Sequence, residues 1–179
     1  HHKILVAKGC FKVGLYKQGL LHDMSKYSPT EFWVGAKYYQ GTRSPNNAER
    51  EDIGYSSAWL HHKGRNKHHY EYWIDYSMQA LPGGMAPVPM PDKYIAEMIM
   101  DRIAASKVYM GGEYTDRSPL DYYYQGTDRA PIHPETKAKL LYVLEMLAEE
   151  GEEKTFRFIK EELVQHKRCM DWHQLEKAE

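Results

Sequence analysis

The sequence predicts an all-α fold, a single-domain helical bundle, on three observations. Apolar residues recur at helical spacing along most of the chain, proline and Ser/Thr residues stand at successive helix starts, and no convincing strand pattern interrupts them. With 179 residues the chain can bury a substantial core without disulfides or structural zinc. The expected architecture is one core of packed helices over residues 1–179, with roughly seven to nine helices.

The elements follow in order. HHKILVAKGCFKVGLYKQ places Ile4, Leu5, Ala7, Phe11 and Leu15 near one helical stripe. GLLHDMSKYSP then ends an apolar run abruptly in His22 and Asp23, with Lys26 three residues beyond. Pro29, Thr30 and Glu31 open the next helix, PTEFWVGAKYYQ. NNAEREDIGYSSAWLHHK predicts a third helix from the Asn46/Asn47 turn to Gly64, and KHHYEYWIDYSMQAL a fourth. Pro82 to Pro91 holds four prolines and two glycines and reads as an exposed loop, a boundary or a lid. Asp92 is expected to cap KYIAEMIMDRIAASKVYM, in which Ile95, Met98, Ile99, Ile103 and Ala105 keep a helical spacing. RSPLDYYYQG reads as a short helix or turn. Pro134 starts PETKAKLLYVLEMLAEEG, and a long amphipathic helix follows Gly151. Residues of about 1–110 carry the candidate chemistry, and those of about 117–179 form C-terminal helices.

Charge narrows the function. Lys and Arg total 24 against 25 for Asp and Glu, so no net field attracts nucleic acid as a main partner, or a membrane. No apolar run approaches the roughly 20 residues of a membrane span. Cys10 and Cys169 stand alone and make no CxxC, as suits a reducing compartment, so a cytoplasmic protein is expected.

The histidines carry the strongest signal. Of ten, His1, His2, His22, His61, His62, His68 and His69 fall within the first 69 residues. Adjacent residues on a helix diverge by about 100°, so His22 and Asp23 cannot share one ordinary face. Two metal ions side by side would use them: a carboxylate bridges both while the imidazole binds one. Imidazole nitrogen with carboxylate oxygen suits a divalent transition metal, Fe, Mn, Co, Ni or Zn, as one or two ions. His2, the block HHKGRNKHH and Asp101, inside an otherwise apolar helix, offer the remaining ligands. Plainer readings stand beside these. His22 and Asp23 also fit a helix-end cap, Asp101 a pair with Arg102 or Lys107, Lys26 an exposed lysine, and His2 a tag residue, since the chain opens on His rather than Met.

The order His, His-Asp, His, late Asp resembles the signature of the HD-domain superfamily of metal-dependent phosphohydrolases. HKILVA looks like that family's first helix, LLHDMSK like its His-Asp helix, EMIMDRIAA like its last ligand helix, and WLHHKGRNKHH is similar to the His-His block of two-metal members. Lys63 departs from the acidic residue usual there. The chain is also similar to a small uncharacterised bacterial family of HD-like proteins. The resemblance covers about His2 to Ala105. It implies a metal set of His2, His22, Asp23, His61, His62, His69 and Asp101, with His68 a further candidate for a second ion, and catalytic roles for Asp23 and Lys26. It also implies contacts to a small phosphorylated substrate from Lys26, Arg65, Lys67 and Arg102. The implied reaction is hydrolysis of a phosphate ester on a nucleotide or another small metabolite. Two alternatives stay open: a mixed-valence di-iron oxygenase on the same scaffold, and a non-catalytic metal-binding module. The chain has no GxSxG and no GxxxxGK loop to offer competing chemistry.

Overall fold

A computed structural model describes residues 1–41, 43–78, 84–167 and Trp172. The chain is all-α. Among the described residues run α1 (His2–Lys12), α2 (Tyr16–Leu21), α3 (Pro29–Tyr38), α4 (Pro45–Ile53), α5 (Ser57–Lys63), α6 (Asp92–Met110), α7 (Ser118–Tyr124) and α8 (Pro134–Phe158). Short 3₁₀ turns link several of them, and α8 continues into a π-helical segment, Ile159–Val164.

Helix α6 is the spine, packing against α1, α7 and α8. Ile95, Ile99 and Ile103, spaced by one helical turn, are buried with Leu140, Leu144 and Leu147 of α8. Each such side chain contributes roughly 1.5–3 kcal/mol by leaving water. The opposite side of α6 meets α1, where a Cβ on Gly9 would stand 2.7 Å from Met100 Sδ. Glycine there lets the two helices approach closely. Gly19 does the same between α2 and α1, with Cys10 Cβ and Phe11 Cε1 each 2.9 Å from where its Cβ would be.

Several sequence expectations change. The buried face of α1 is Val6, Gly9 and Cys10, continuing to Val13, while Ile4 and Phe11 are exposed. The predicted third helix is two, because Gly54 takes a left-handed conformation (φ +84°) that ends α4. Buried Glu49 fastens the pieces, accepting from Ser56 Oγ and Ser57 Oγ at 2.6 Å each, while Ser56 caps α5. The predicted fourth helix is instead, as far as Met78, a 3₁₀ turn, Tyr70–Trp73, followed by a strand; its last residues, 79–81, lie outside the described residues. The aromatic and β-branched residues of YEYWIDY favour extended chain, and β1 (Ile74–Tyr76) pairs antiparallel with β2 (Met85–Pro87). That hairpin occupies part of the expected Pro82–Pro91 loop, of which Pro82 and Gly83 lie outside the described residues. The end of the stretch is not exposed either: Met90 is buried and its N–H donates to Thr136 Oγ1 at 3.0 Å. Asp92 does not cap α6; its carboxylate accepts from Lys139 Nζ at 2.7 Å. Gly151 breaks α8 with non-helical backbone (φ +81°, ψ 172°), at the expected boundary. The expected long final helix stops at Val164, with His166 left-handed at φ +50°; Cys169 and the rest of that expected helix lie outside the described residues, Trp172 excepted.

Candidate metal centre

The centre is built around a reversal of the chain at the end of α2. His22 is extended (φ −51°, ψ 130°), and Asp23 is left-handed at φ +54°, ψ 28°. A non-glycine residue at positive φ is uncommon and is best tolerated by Asp and Asn. The chain then winds into a 3₁₀ turn, Met24–Tyr27, with the Lys26 N–H donating to the Asp23 carbonyl at 3.0 Å. This backbone turn resolves the divergence of adjacent residues: both His22 and Asp23 are buried and both enter the same cluster.

Two groups of metal-ligating side chains share Asp23. In the first, His2 from the start of α1, His22, Asp23 and Asp101 from α6 bring their ligand atoms within 4.8 Å of one another. His2 Nε2 stands 2.9 Å from Asp101 Oδ1, and His22 Nε2 stands 3.3 Å from Asp23 Oδ2 and 3.5 Å from Asp101 Oδ1. The second group is Asp23, His62, His68 and His69. Here it is the other oxygen, Asp23 Oδ1, that lies 3.2 Å from His62 Nε2 and 3.4 Å from His68 Nε2, while His62 Nε2 and His69 Nε2 are 2.9 Å apart.

Behind both groups stand carboxylates that fix the rings. His22 Nδ1 and His68 Nδ1 both donate to Glu97 Oε1, at 3.0 and 3.1 Å. His62 Nδ1 donates to Glu31 Oε2 at 2.7 Å. Holding Nδ1–H on an acceptor aims the Nε2 lone pair forward and raises its basicity, the arrangement that usually supports histidine ligands. Asn66 ties the underside together, its Nδ2 donating to Ser25 Oγ at 2.7 Å and to the His62 carbonyl at 2.8 Å.

Electrostatics follow from this crowding. Burial disfavours charge on His22, but the adjacent carboxylates of Asp101, Asp23 and Glu97 outweigh it and raise the imidazole to about 11. His68 is likewise opposed by burial and raised to about 9 by Asp23 and Glu97. His69 moves the other way, lowered by burial and by the neighbouring His68 and His62. Burial opposes ionisation of Asp23 and Asp101, yet their imidazole partners hold both carboxyls well below the usual range. Three buried atoms, His22 Nε2, Asp23 Oδ1 and His68 Nε2, make no hydrogen bond. Orphaned atoms of this kind are costly, and all three belong to the two groups. A donor set of imidazole nitrogens and carboxylate oxygens, with unsatisfied atoms in both groups, fits divalent transition-metal ions.

Most sequence-derived candidates converge, and some do not. His2, His22, Asp23 and Asp101 form one group; His62 and His69 join the other, together with His68. His61 stands apart from both, its Nδ1 donating to Glu31 Oε1 at 2.6 Å. Asp101 is not paired with Lys107, whose ammonium meets Glu152. Lys26 reaches Asp23 Oδ2 at 2.6 Å with 52% of its side chain exposed. Burial lowers Arg102, next to Asp101 on α6, and its Nη1 donates to Thr127 Oγ1 at 3.4 Å. Arg65 and Lys67 lie exposed on the turn between His62 and His68; Arg65 Nη1 donates to the His61 carbonyl, and Lys67 Nζ lies over the Tyr72 and Tyr94 rings.

Sequence reasoning missed Glu97 and Glu31. Glu97 precedes Asp101 by one helical turn in an otherwise apolar stretch of α6, a detectable signal. Glu31 was hidden because Ser28-Pro-Thr-Glu31 matches a capping box; Ser28 does cap α3, but the Glu31 side chain turns to the histidines.

An all-α chain with a carboxylate-bridged pair of histidine clusters is the class that fold and site define. By family-model match the chain belongs to a family of unknown function, DUF5662, over residues 1–146, a span that includes every residue of both groups. No curated protein and no solved structure matches it.

Proposed function

We propose that the chain is a metal-dependent phosphohydrolase of the HD-domain type, acting on a nucleotide or another small phosphorylated metabolite. The observation that carries this reading is Asp23, whose two carboxylate oxygens face two different histidine groups. His2, His22, Asp23 and Asp101 would hold one ion, and Asp23, His62, His68 and His69 the other. Such ions, when bound, supply Lewis acidity and a water acidified toward neutral pH. Lys26 provides a cation beside Asp23, where an ammonium meets a phosphoryl oxygen rather than a metal. Arg102 adds a second cation next to Asp101. In hydrolysis the water oxygen bonds to phosphorus, the ester P–O bond breaks, and the proton ends on the departing oxygen.

A second reading, the di-iron oxygenase, is favoured by the three imidazoles that join one carboxylate in the second group, a nitrogen-rich set suited to iron. The deciding experiment uses protein purified without a histidine tag. Its metal is measured, and turnover is assayed on nucleoside mono- and triphosphates and sugar phosphates and by oxygen uptake with Fe(II). Hydrolysis that needs metal supports the proposal, and Lys26→Ala should then retain metal and lose about ten- to a hundredfold in kcat/KM. Iron-dependent oxygen uptake without hydrolysis replaces the first reading with the second. Bound metal with no turnover of either kind leaves a metal-binding module.

A further inference from the structure

Helices α1 and α2 and the turn after them carry basic charge and exposed apolar surface together. Residues 1–27, which carry α1, α2 and the following turn, hold five lysines, Lys3, Lys8, Lys12, Lys17 and Lys26, against one acid, Asp23, which is buried. Lys3, Lys8, Lys12 and Lys17 make no ion pair among the described residues; Lys12 lies over the Phe156 ring of α8, in a groove that Glu152 and Glu153 also line, while Lys3 and Lys17 belong to the α1–α2 surface itself. The net charge of −1, from which no attraction to anionic lipid follows, averages over this asymmetry.

The same face exposes large apolar groups. Tyr16, Leu20 and Leu21 of α2, with Met24 and Tyr27 of the following turn, are each between 48% and 65% exposed. They are contiguous with α1: the Phe11 and Tyr16 rings lie 5.6 Å apart, and Lys3 Nζ touches Met24 Sδ at 2.9 Å and lies over the Tyr27 ring. Scattered exposed apolar residues are ordinary, but a run of five within twelve residues, with Lys3 against it and Lys17 inside it, marks a binding surface.

We infer that this α1–α2 face rests on the surface of a membrane rich in anionic lipid, with Leu20, Leu21 and Met24 entering the headgroup boundary and the lysines meeting lipid phosphates and carboxylates. Charge selects the occupant: a second copy of this chain would set lysine against lysine, whereas an anionic bilayer complements both the lysines and the apolar groups. Tyrosines at the edge suit the interface, where an aromatic body and a polar tip are both accommodated. No described helix is long and apolar enough to cross a membrane, so the contact is one of lying on the surface. It requires neither metal nor turnover and stands independently of the proposed hydrolysis.

The test is co-sedimentation of the full chain with vesicles of phosphatidylcholine alone and of phosphatidylcholine with about a third phosphatidylserine. The expected result is binding to the second and not the first, weakened at least severalfold when salt rises from roughly 0.1 to 0.5 M. Leu20→Glu with Leu21→Glu, and separately Lys8→Glu with Lys17→Glu, should each reduce binding about tenfold or more with the helical circular dichroism unchanged. Lys154→Glu, on α8, should leave binding as it was. Equal binding to both vesicles, binding to neither, or binding that survives both N-terminal variants overturns the inference. So does a concentration-dependent dimer that Leu20→Glu with Leu21→Glu abolishes, since the face would then belong to a second copy.

Discussion

Two polar clusters flank α6, one part-buried and one largely buried, and they differ in how their charges are met. Near its N-terminus the Lys139 ammonium, from α8, reaches Asp92 Oδ1 at 2.7 Å and Glu135 Oε1 at 2.6 Å. On its other side Asp23, Asp101, Glu97 and the imidazoles crowd together and still leave His22 Nε2, Asp23 Oδ1 and His68 Nε2 without hydrogen bonds. The first cluster is closed: its cation has its partners, and it pins α8 to the start of α6. The second is open toward its own centre. Burying polar groups is costly in both places, and the second leaves buried ligand atoms without hydrogen bonds. That difference separates a structural ion cluster from a ligand site more reliably than residue type, since both are made of common charged side chains.

The largest effect expected from breaking the open cluster is at Asp23. Asp23→Asn keeps the size and the tolerance of a left-handed backbone, yet removes the charge shared by both groups. Metal content should fall below about a tenth of the parent value and turnover should disappear, with the circular dichroism spectrum retained. Glu97→Gln acts one layer back. It should leave the ligands in place but lower metal affinity about ten- to a hundredfold, read by titration against a competing chelator.

The closed cluster answers to stability instead. Lys139→Met removes the cation that two carboxylates share, both with partial access to water and one of them, Asp92, also facing His166 Nδ1 at 3.7 Å, so the cost is about 1–3 kcal/mol, below the full penalty for an isolated buried charge. The thermal midpoint should drop while metal per folded chain stays the same.

Protons sharpen the comparison further. After treatment with a chelator, His22 and His68 carry protons at neutral pH, because their carboxylate partners raise them to about 11 and about 9. Their folded values lie above the unfolded value of about 6.5, so their contribution to stability is complete below that pH and fades as pH rises through about 9 and then about 11. Metal binding has the opposite sign, since imidazole must lose its proton to become a ligand. Affinity should therefore rise with pH, and calorimetry in buffers of different ionisation enthalpy should register up to about two protons released per chain. Zero release contradicts these protonation states.

Much of the site was legible because the relevant residues violate their surroundings. Asp101 interrupts an apolar helix, His22 and Asp23 end an apolar run, and the histidines crowd the first 69 residues. What remained hidden depended on direction rather than identity. In the His61-His62 pair, adjacent residues diverge by about 100° on α5, and both rings meet Glu31, yet only His62 also reaches Asp23. Helical spacing alone could not say which. Glu31 was concealed by a local motif that its backbone satisfies while its side chain serves the histidines. In the fold, α6 and α8 were plain from long apolar repeats, whereas the stretch after His69 was misread because its aromatic residues suit a helix face as well as a strand, and the pairing partner lay beyond a proline-rich segment.

The measurement that tests the central claim most directly is elemental analysis of the tag-free protein beside its Asp23→Asn variant. Two divalent transition-metal ions per parent chain, and fewer than about 0.2 per variant chain, are predicted. A parent that binds no such metal, or ions that persist undiminished in folded Asp23→Asn, would contradict the account of Asp23 as the bridge between two metal sites.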